Sequence, residues 1–294
     1  VDKATKLETI YDRIHEVRMR FEVCKLETEL AYWKTAFPQG LSALATEQLS
    51  LQLKALDDDF AFVAECNLGS EKMSDKAIDR IKQIATRTWT RTIDDQLGLS
   101  HDEMDRRAGR SAASLPVQEY LLRDQPEHQI TRPVGQSFTS DNPWGFKMQL
   151  PELLYDRGEI KNLSIQRGTL TDEERYKINE HIVLTIKMLE AMPFPRHLMN
   201  VPEIAGGHHE RMDSHGYPRA IPASSMSIPA RLMAIADVFE ALTATDRPYK
   251  SGKSPEESLN IMRQMAQGGH LDTELFELFA QSDLPARYAE KFLH

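Results

Sequence analysis

Two adjacent imidazoles, His208 and His209, open the run HHERMDSHGYPR that ends at Arg219. Histidines gather this way to hold metal, because neutral imidazole is a common ligand for zinc and iron and a nearby carboxylate fixes its tautomer. Adjacent residues on a helix diverge by about 100°, so the pair would reach one ion from two sides or serve two ions. His181, on another predicted helix and beside its buried stripe, offers a third imidazole facing inward. His215 sits in the turn before Gly216 and reads as exposed and structural. Asp237 has Ala230, Ala234, Ala241 and Ala244 as its helical neighbours. Such small residues let a second helix come close, so the carboxylate is expected in a tight interior. A buried carboxylate is costly unless a cation or several donors meet it, which leaves an arginine partner, a metal or a metal-bound histidine. Arg211, Arg219, Arg231, Arg247, Lys250 and Lys253 follow closely along the chain. They either converge on a phosphate or form an ordinary solvated surface.

These residues need helices to position them. Residues 3–35 lack Gly and Pro and repeat apolar or small positions at Leu7, Ile10, Ile14, Val17, Phe21, Cys24, Thr28 and Ala31. That 3-4 spacing is an a/d seam, read either as a parallel dimer helix or as a long helix packed on its own domain. A second helical pattern spans 41–65, and a third runs from Ser74 or Asp75 to about Asp95. Residues 98–145, with Pro116, Pro126, Pro133 and Pro143, read as a long connection. Thr171 and Glu174 form a capping box opening a helix to about Met192, with Ile178, Ile182, Ile186 and Leu189 buried. Another helix from about Ser227 to Thr245 would bury Ile228, Leu232, Ile235, Phe239 and Leu242. No alternating strand run appears, so the fold class is all-α, a helical bundle preceded by a long N-terminal helix. The expected organisation is a helical dimerisation and relay region at 1–70, an entry helix and connection at 71–145, and a C-terminal domain at 146–294.

The chain has 294 residues and a net charge of −9. That charge argues against general nucleic-acid binding, which needs clustered cations for the phosphate backbone. No apolar run approaches the ~20 residues of a membrane span, so no direct membrane contact is expected. Only Cys24 and Cys66 occur, outside any C-x-x-C pattern, which favours a reduced, cytoplasmic setting. Val1 carries neither an initiator Met nor a signal-peptide pattern, from which a fragment of a longer chain is expected.

Residues 151–280 resemble the HD-GYP branch of the HD-domain metal-dependent phosphohydrolases, bacterial enzymes that hydrolyse cyclic di-GMP. The resemblance rests on HHERMDSHGYPR, on AIADVFEALTATDRPYK from Ala234 to Lys250, and on RGTLTDEER followed by His181. It implies an all-helical fold holding divalent ions, commonly iron or manganese, among its helices. It makes Asp156, His181, His208, His209 and Asp237 ligands, with Asp156 and Asp237 as the catalytic carboxylates. Arg247 and Lys250 become phosphate contacts, joined by Arg211, and Tyr217 lines the substrate pocket. The chain departs from the pattern where a segment like LLHDIGK reads LLYDRGE, so that Tyr155 replaces the histidine and Glu159 the lysine. Ser214 stands where glycine is usual, and no histidine occurs between His15 and His101. Phenol is a weak ligand at neutral pH because its pKa is near ~10, so one ion is expected rather than two or three. The implied function is a cyclic dinucleotide phosphodiesterase with a reduced metal site, working as a homodimer through the N-terminal helix. The alternative is a catalytically degenerate module of the same fold that binds a nucleotide for signalling.

Overall fold

Ile14, Val17, Phe21 and Cys24 do share one face of the first helix, and that face is buried in the chain's own core. The computed structural model describes residues 5–7, 13–39, 43–109, 113–133, 141–244 and 252–293. Among them are eleven α-helices and two antiparallel sheets of two strands each. The all-helical class read from the sequence therefore holds, with the two ribbons as small additions. The chain divides into two compact units, one of Val1–Thr131 with Leu153–Glu174 and the other of Arg132–Glu152 with Arg175–His294. No helix among the described residues is long and apolar enough to cross a membrane.

In the first unit α1 (Ile14–Gln39) packs along α2 (Ala43–Asn67). The seam meets Leu56 and Val63 of α2, and Phe21 lies edge-on to Phe60 at 5.4 Å between ring centroids. From Ile14 to Cys24 the seam is thus the inner face of an intramolecular pair, while Thr28 is half-buried, Ala31 is exposed and Ile10 lies outside the described residues. Leu7 also enters this core but from a turn, since α1 begins at Ile14. That turn is pinned from inside. Asn67 accepts from the Leu7 amide at 2.8 Å, and the fully buried Lys6 ammonium donates to the Leu163 and Ile165 carbonyls, each at 2.9 Å. Burial pushes the Lys6 ammonium down to about 8, and these carbonyl oxygens are what replace its lost water.

The third helix, α3 (Asp75–Ala85), starts where expected, with the Ser74 hydroxyl accepting from the Ala77 amide, but stops ten residues short of Asp95. Thr88-Trp89-Thr90-Arg91 has bulky and β-branched residues suited to an extended chain. It forms β1 (Thr88–Arg91) instead. The presumed connection supplies its partner and more: α4 (His101–Arg106), β2 (Val117–Tyr120) and β3 (Gln129–Thr131). Strand β2 pairs with β1 with Trp89 opposite Glu119, and β3 pairs with β4 (Leu153–Asp156) with Ile130 opposite Tyr155. The unit ends in α5 (Glu159–Leu163) and the first turn of α6 (Asp172–Glu190).

The second unit contains the rest of α6, then α7 (Val201–Gly207), α8 (Ile228–Thr243), α9 (Pro255–Gln267), α10 (Thr273–Gln281) and α11 (Leu284–Phe292). Helices α8, α9 and α10 meet over Ile235, Phe239, Met262, Leu271 and Phe276. The first turns of α8 differ from expectation. Ile228 and Leu232 are 60% and 44% exposed, while the alanine stripe faces inward, with Ala230 at 0% and Ala234 at 5%. The small side chains win there because α7 crosses that surface closely.

Replacing Phe21 with Ala should lower the unfolding free energy by about 3–5 kcal/mol, read from urea denaturation. The change should be independent of protein concentration. A concentration-dependent loss would instead return the seam to an intermolecular role.

Candidate metal centre

Three helices converge because glycine lets them. A Cβ on Gly206 would come within 2.7 Å of Ile186 Cγ1 on α6, and one on Gly207 within 3.1 Å of the Ala230 Cβ on α8. The two glycines end α7, and His208 and His209 follow directly. The Ser227 hydroxyl caps α8 and donates to Glu203 of α7 at 2.7 Å, which fixes the crossing. On α6 the capping box forms as read, with Glu174 accepting from the Thr171 amide at 3.0 Å and Thr171 Oγ1 accepting in return. Ile182, Val183 and Ile186 are buried, whereas His181 is exposed and does not face the core. It lies at the edge of the helix, where it meets the histidine pair.

His181, His208 and His209 each offer a ring nitrogen, and these atoms all lie within 4.8 Å of one another. The tautomers follow from hydrogen bonds. His181 Nδ1 is 2.7 Å from the Ile178 carbonyl and His208 Nδ1 is 2.6 Å from the Ala205 carbonyl. A carbonyl only accepts, so Nδ1 is the donor in both rings, and in the neutral form of each the lone pair lies on Nε2. His209 Nε2 is 3.2 Å from His181 Nε2. Ligand bonds of about 2.0–2.1 Å place two nitrogens on a tetrahedral ion about 3.3 Å apart, so the spacing fits a shared divalent cation. Asp237 Oδ2 is 3.9 Å from His209 Nδ1, with its side chain 43% exposed. The carboxylate therefore stands at the rim of the site, not in the tight interior expected for it.

The loop after the histidines folds back on itself. The Tyr217 amide donates to the His209 carbonyl at 3.1 Å, and its ring stacks on the His209 imidazole at 4.7 Å and 23°. Buried Glu210 accepts from the Arg219 and Ile221 amides at 2.7 and 3.1 Å. Gly216 is the residue that permits this turn, since a Cβ there would lie 2.4 Å from the Glu210 Cα. Ser214 takes φ +62 at the position where glycine was the expected residue. His215 is 80% exposed, as read.

Three of the cations in and after the motif are already engaged. Arg211 pairs with Asp213 at 2.7 Å, Arg219 with Glu190 at 2.8 Å and Arg231 with Asp272 at 3.0 Å. Arg247 and Lys250 lie outside the described residues. Asp156 belongs to the first unit. Its carboxylate accepts from the Gly158 amide at 2.9 Å and from Lys161 at 3.2 Å, and Lys161 also meets Glu173 at 2.9 Å. Lys161 went unnoticed in the sequence because it stands two places beyond the family's lysine position. Glu159, which occupies that position, is instead a buried acid held by Arg20 at 2.9 Å. Burial opposes its ionisation, but Arg20, the Arg123 amide and Arg13 together hold it below the usual carboxylate range.

Burial, helped by the neighbouring His208 and His209's other neighbour His181, pushes the His209 imidazole down to about 3. Tyr217 is pushed up to about 12 by burial and by Asp237, so its hydroxyl keeps its proton at neutral pH. For His209 the unfolded chain binds a proton near 6.5 while the folded, metal-free protein resists it. Stability should therefore be fully present above pH 6.5 and decline as the pH falls toward 3. Chelator-treated protein compared with His209→Gln by urea titration should show this as a pH-dependent gap. A gap that stays constant across that range would contradict the assignment.

A sequence model described as the HD domain matches residues 98–275, more than half of the chain. The 3′3′-cGAMP-specific phosphodiesterase 1 of Vibrio cholerae is 36% identical over 138 residues, covering 46% of this chain and 31% of that protein. A probable cyclic di-GMP phosphodiesterase of the same organism is 36% identical over 134 residues, covering 43% of this chain and 30% of that protein. A cyclic di-GMP phosphodiesterase of Thermotoga maritima is 29% identical over 167 residues, covering 53% and 45%. The chain thus spans less than half the length of each of these relatives. With the three-histidine cluster in place and the HD domain matched over more than half of the chain, the chain belongs to the HD domain family, of the HD-GYP type.

Proposed function

We propose that the chain is a metal-dependent phosphohydrolase that opens the phosphodiester ring of a cyclic dinucleotide, cyclic di-GMP or a close relative, in bacterial signalling. The observation that carries this reading is the trio of imidazoles within 4.8 Å, two of them with Nε2 lone pairs directed by backbone carbonyls. A divalent ion held there, such as iron or manganese, would supply Lewis acidity toward a phosphoryl oxygen and would lower the pKa of bound water. The residues of the chain hold and orient. His181, His208 and His209 would hold the ion, and Asp237, 3.9 Å from His209 Nδ1 at the rim, is the carboxylate placed to accept a proton. Tyr217, neutral and stacked on His209, presents a flat wall to a base. Arg247 and Lys250 are assigned to the phosphates, and Asp156 to a ligand and catalytic role, by the resemblance alone. One ion is favoured over two because Tyr155 stands where the family has histidine. Two free cysteines fit a cytoplasmic setting.

A degenerate signalling module is the second reading, favoured by the engagement of Asp156 with Lys161 and by Tyr155. Elemental analysis of protein purified without chelator, followed by incubation with cyclic di-GMP and 3′3′-cGAMP, separates the two. The phosphohydrolase should carry stoichiometric metal and form product, both abolished in His208→Ala. Absence of metal and product from the parent protein would overturn it in favour of the binding module.

The homodimer belongs to this reading as well, by a different surface from the buried seam. Met19, Leu26, Leu30 and Trp33 of α1 are 62%, 64%, 54% and 51% exposed, with half-buried Val23 between them. Their 4-3-4-3 spacing is a second apolar stripe of a/d type. Light scattering should give a dimer for the parent chain and a monomer for Leu26→Glu with Leu30→Glu. A dimer in that variant would remove α1 from the interface.

A further inference from the structure

The first unit contains a cavity of about 370 Å³ lined by six arginines and four glutamates, within the range of small-ligand pockets. The ion pairs around it are unevenly made. Arg20 is neutralised by Glu159 at 2.9 Å, Arg123 by Glu119 at 3.0 Å and Arg107 by Asp95 at 3.0 Å. Arg13, by contrast, donates to two neutral acceptors, the Leu7 and Arg157 carbonyls. Arg106 and Arg157 make no hydrogen bond or ion pair through their side chains among the described residues, and the Arg106 Nε is buried without a partner. Nor does Glu103 offset them, because it closes the capping box with Ser100.

Three guanidinium groups therefore face one cavity without a carboxylate in contact, in a chain whose net charge is −9. Burial lowers the Arg13 guanidinium from its usual value, and its neighbours Arg157 and Arg20 add to that while Glu159 and Glu16 oppose it. Like charges gathered out of water are unfavourable unless an anion joins them. Planar guanidinium forks match the oxygens of phosphate two at a time, and a phosphate monoester carries close to two negative charges at neutral pH.

We propose that this cavity binds a phosphate monoester dianion, free or as the terminal phosphate of a nucleotide, with Arg13, Arg106 and Arg157 as its ligands. The site lies wholly within the first unit and does not depend on the reading of the histidine cluster.

Calorimetric titration should use chelator-treated His208→Ala protein, so that phosphate at the histidines contributes nothing. Inorganic phosphate, guanosine monophosphate and sulfate are the probes. Saturable binding of phosphate or of the nucleotide, weakened by salt and by about tenfold in Arg106→Gln or Arg157→Ala, is the expected result. Tighter binding of the nucleotide than of phosphate identifies an ester as the ligand, and equal binding identifies the free ion. Arg157→Lys should lose less, since it keeps the charge without the fork, and it carries the test should Arg157→Ala fail to fold. No binding of either phosphate probe at millimolar concentration, or binding unchanged in these variants, would overturn the proposal.

Discussion

The absence of two side chains at the end of α7 is the constraint on which the histidine cluster depends. Gly206 and Gly207 carry no Cβ, so the helix backbone settles against Ile186 of α6 and Ala230 of α8 at distances where an added Cβ would force Ile186 to shift and would crowd Ala230. His208 and His209 come next in the chain and inherit that position. Without the close crossing, His181 would face solvent alone. The hydrogen bonds to Ile178 and Ala205 then orient two rings, and the stacked Tyr217 backs the third. The geometry of the histidine cluster is a product of helix packing rather than of the histidines themselves, whose side chains only complete it.

The first unit is organised on a different principle. Its apolar core is ordinary, but charge is buried around it: Lys6 among carbonyls, Glu159 against Arg20, Arg91 against Glu119. Each of these is met by a partner at hydrogen-bond distance, as low-dielectric surroundings require. Such networks tie segments distant in sequence, as when Lys6 reaches residues 163 and 165. They specify one arrangement of the unit by penalising every other.

Much of the site was legible in the residues. The Thr171–Glu174 box and the small residues Ala230 and Ala234 of α8 are local signals, and both hold in the structure. The ribbons were hidden because four-residue strands such as Thr88–Arg91 are too short to establish a period against the helical pattern upstream. Leu7 continued the heptad spacing, yet tertiary contacts to Asn67 hold it in a turn. Lys161 was missed because pairing with Asp156 depends on how a five-residue helix follows a strand, which spacing alone does not encode. The exposure of His181 and Asp237 reflects the same limit: periodicity tells which face turns inward, but not where a helix edge meets another loop.

The chain passes from one compact unit to the other three times, after Thr131, after Glu152 and after Glu174. During synthesis this imposes an order. The first unit cannot close until residues 153–174 have emerged, because β3 waits for β4 and Lys6 waits for Leu163. Residues 132–152 are made before that point but belong with helices made after it, so they must remain unassembled while the first unit completes. Neither unit is a contiguous stretch of the gene, and no single cut in the chain yields either of them whole.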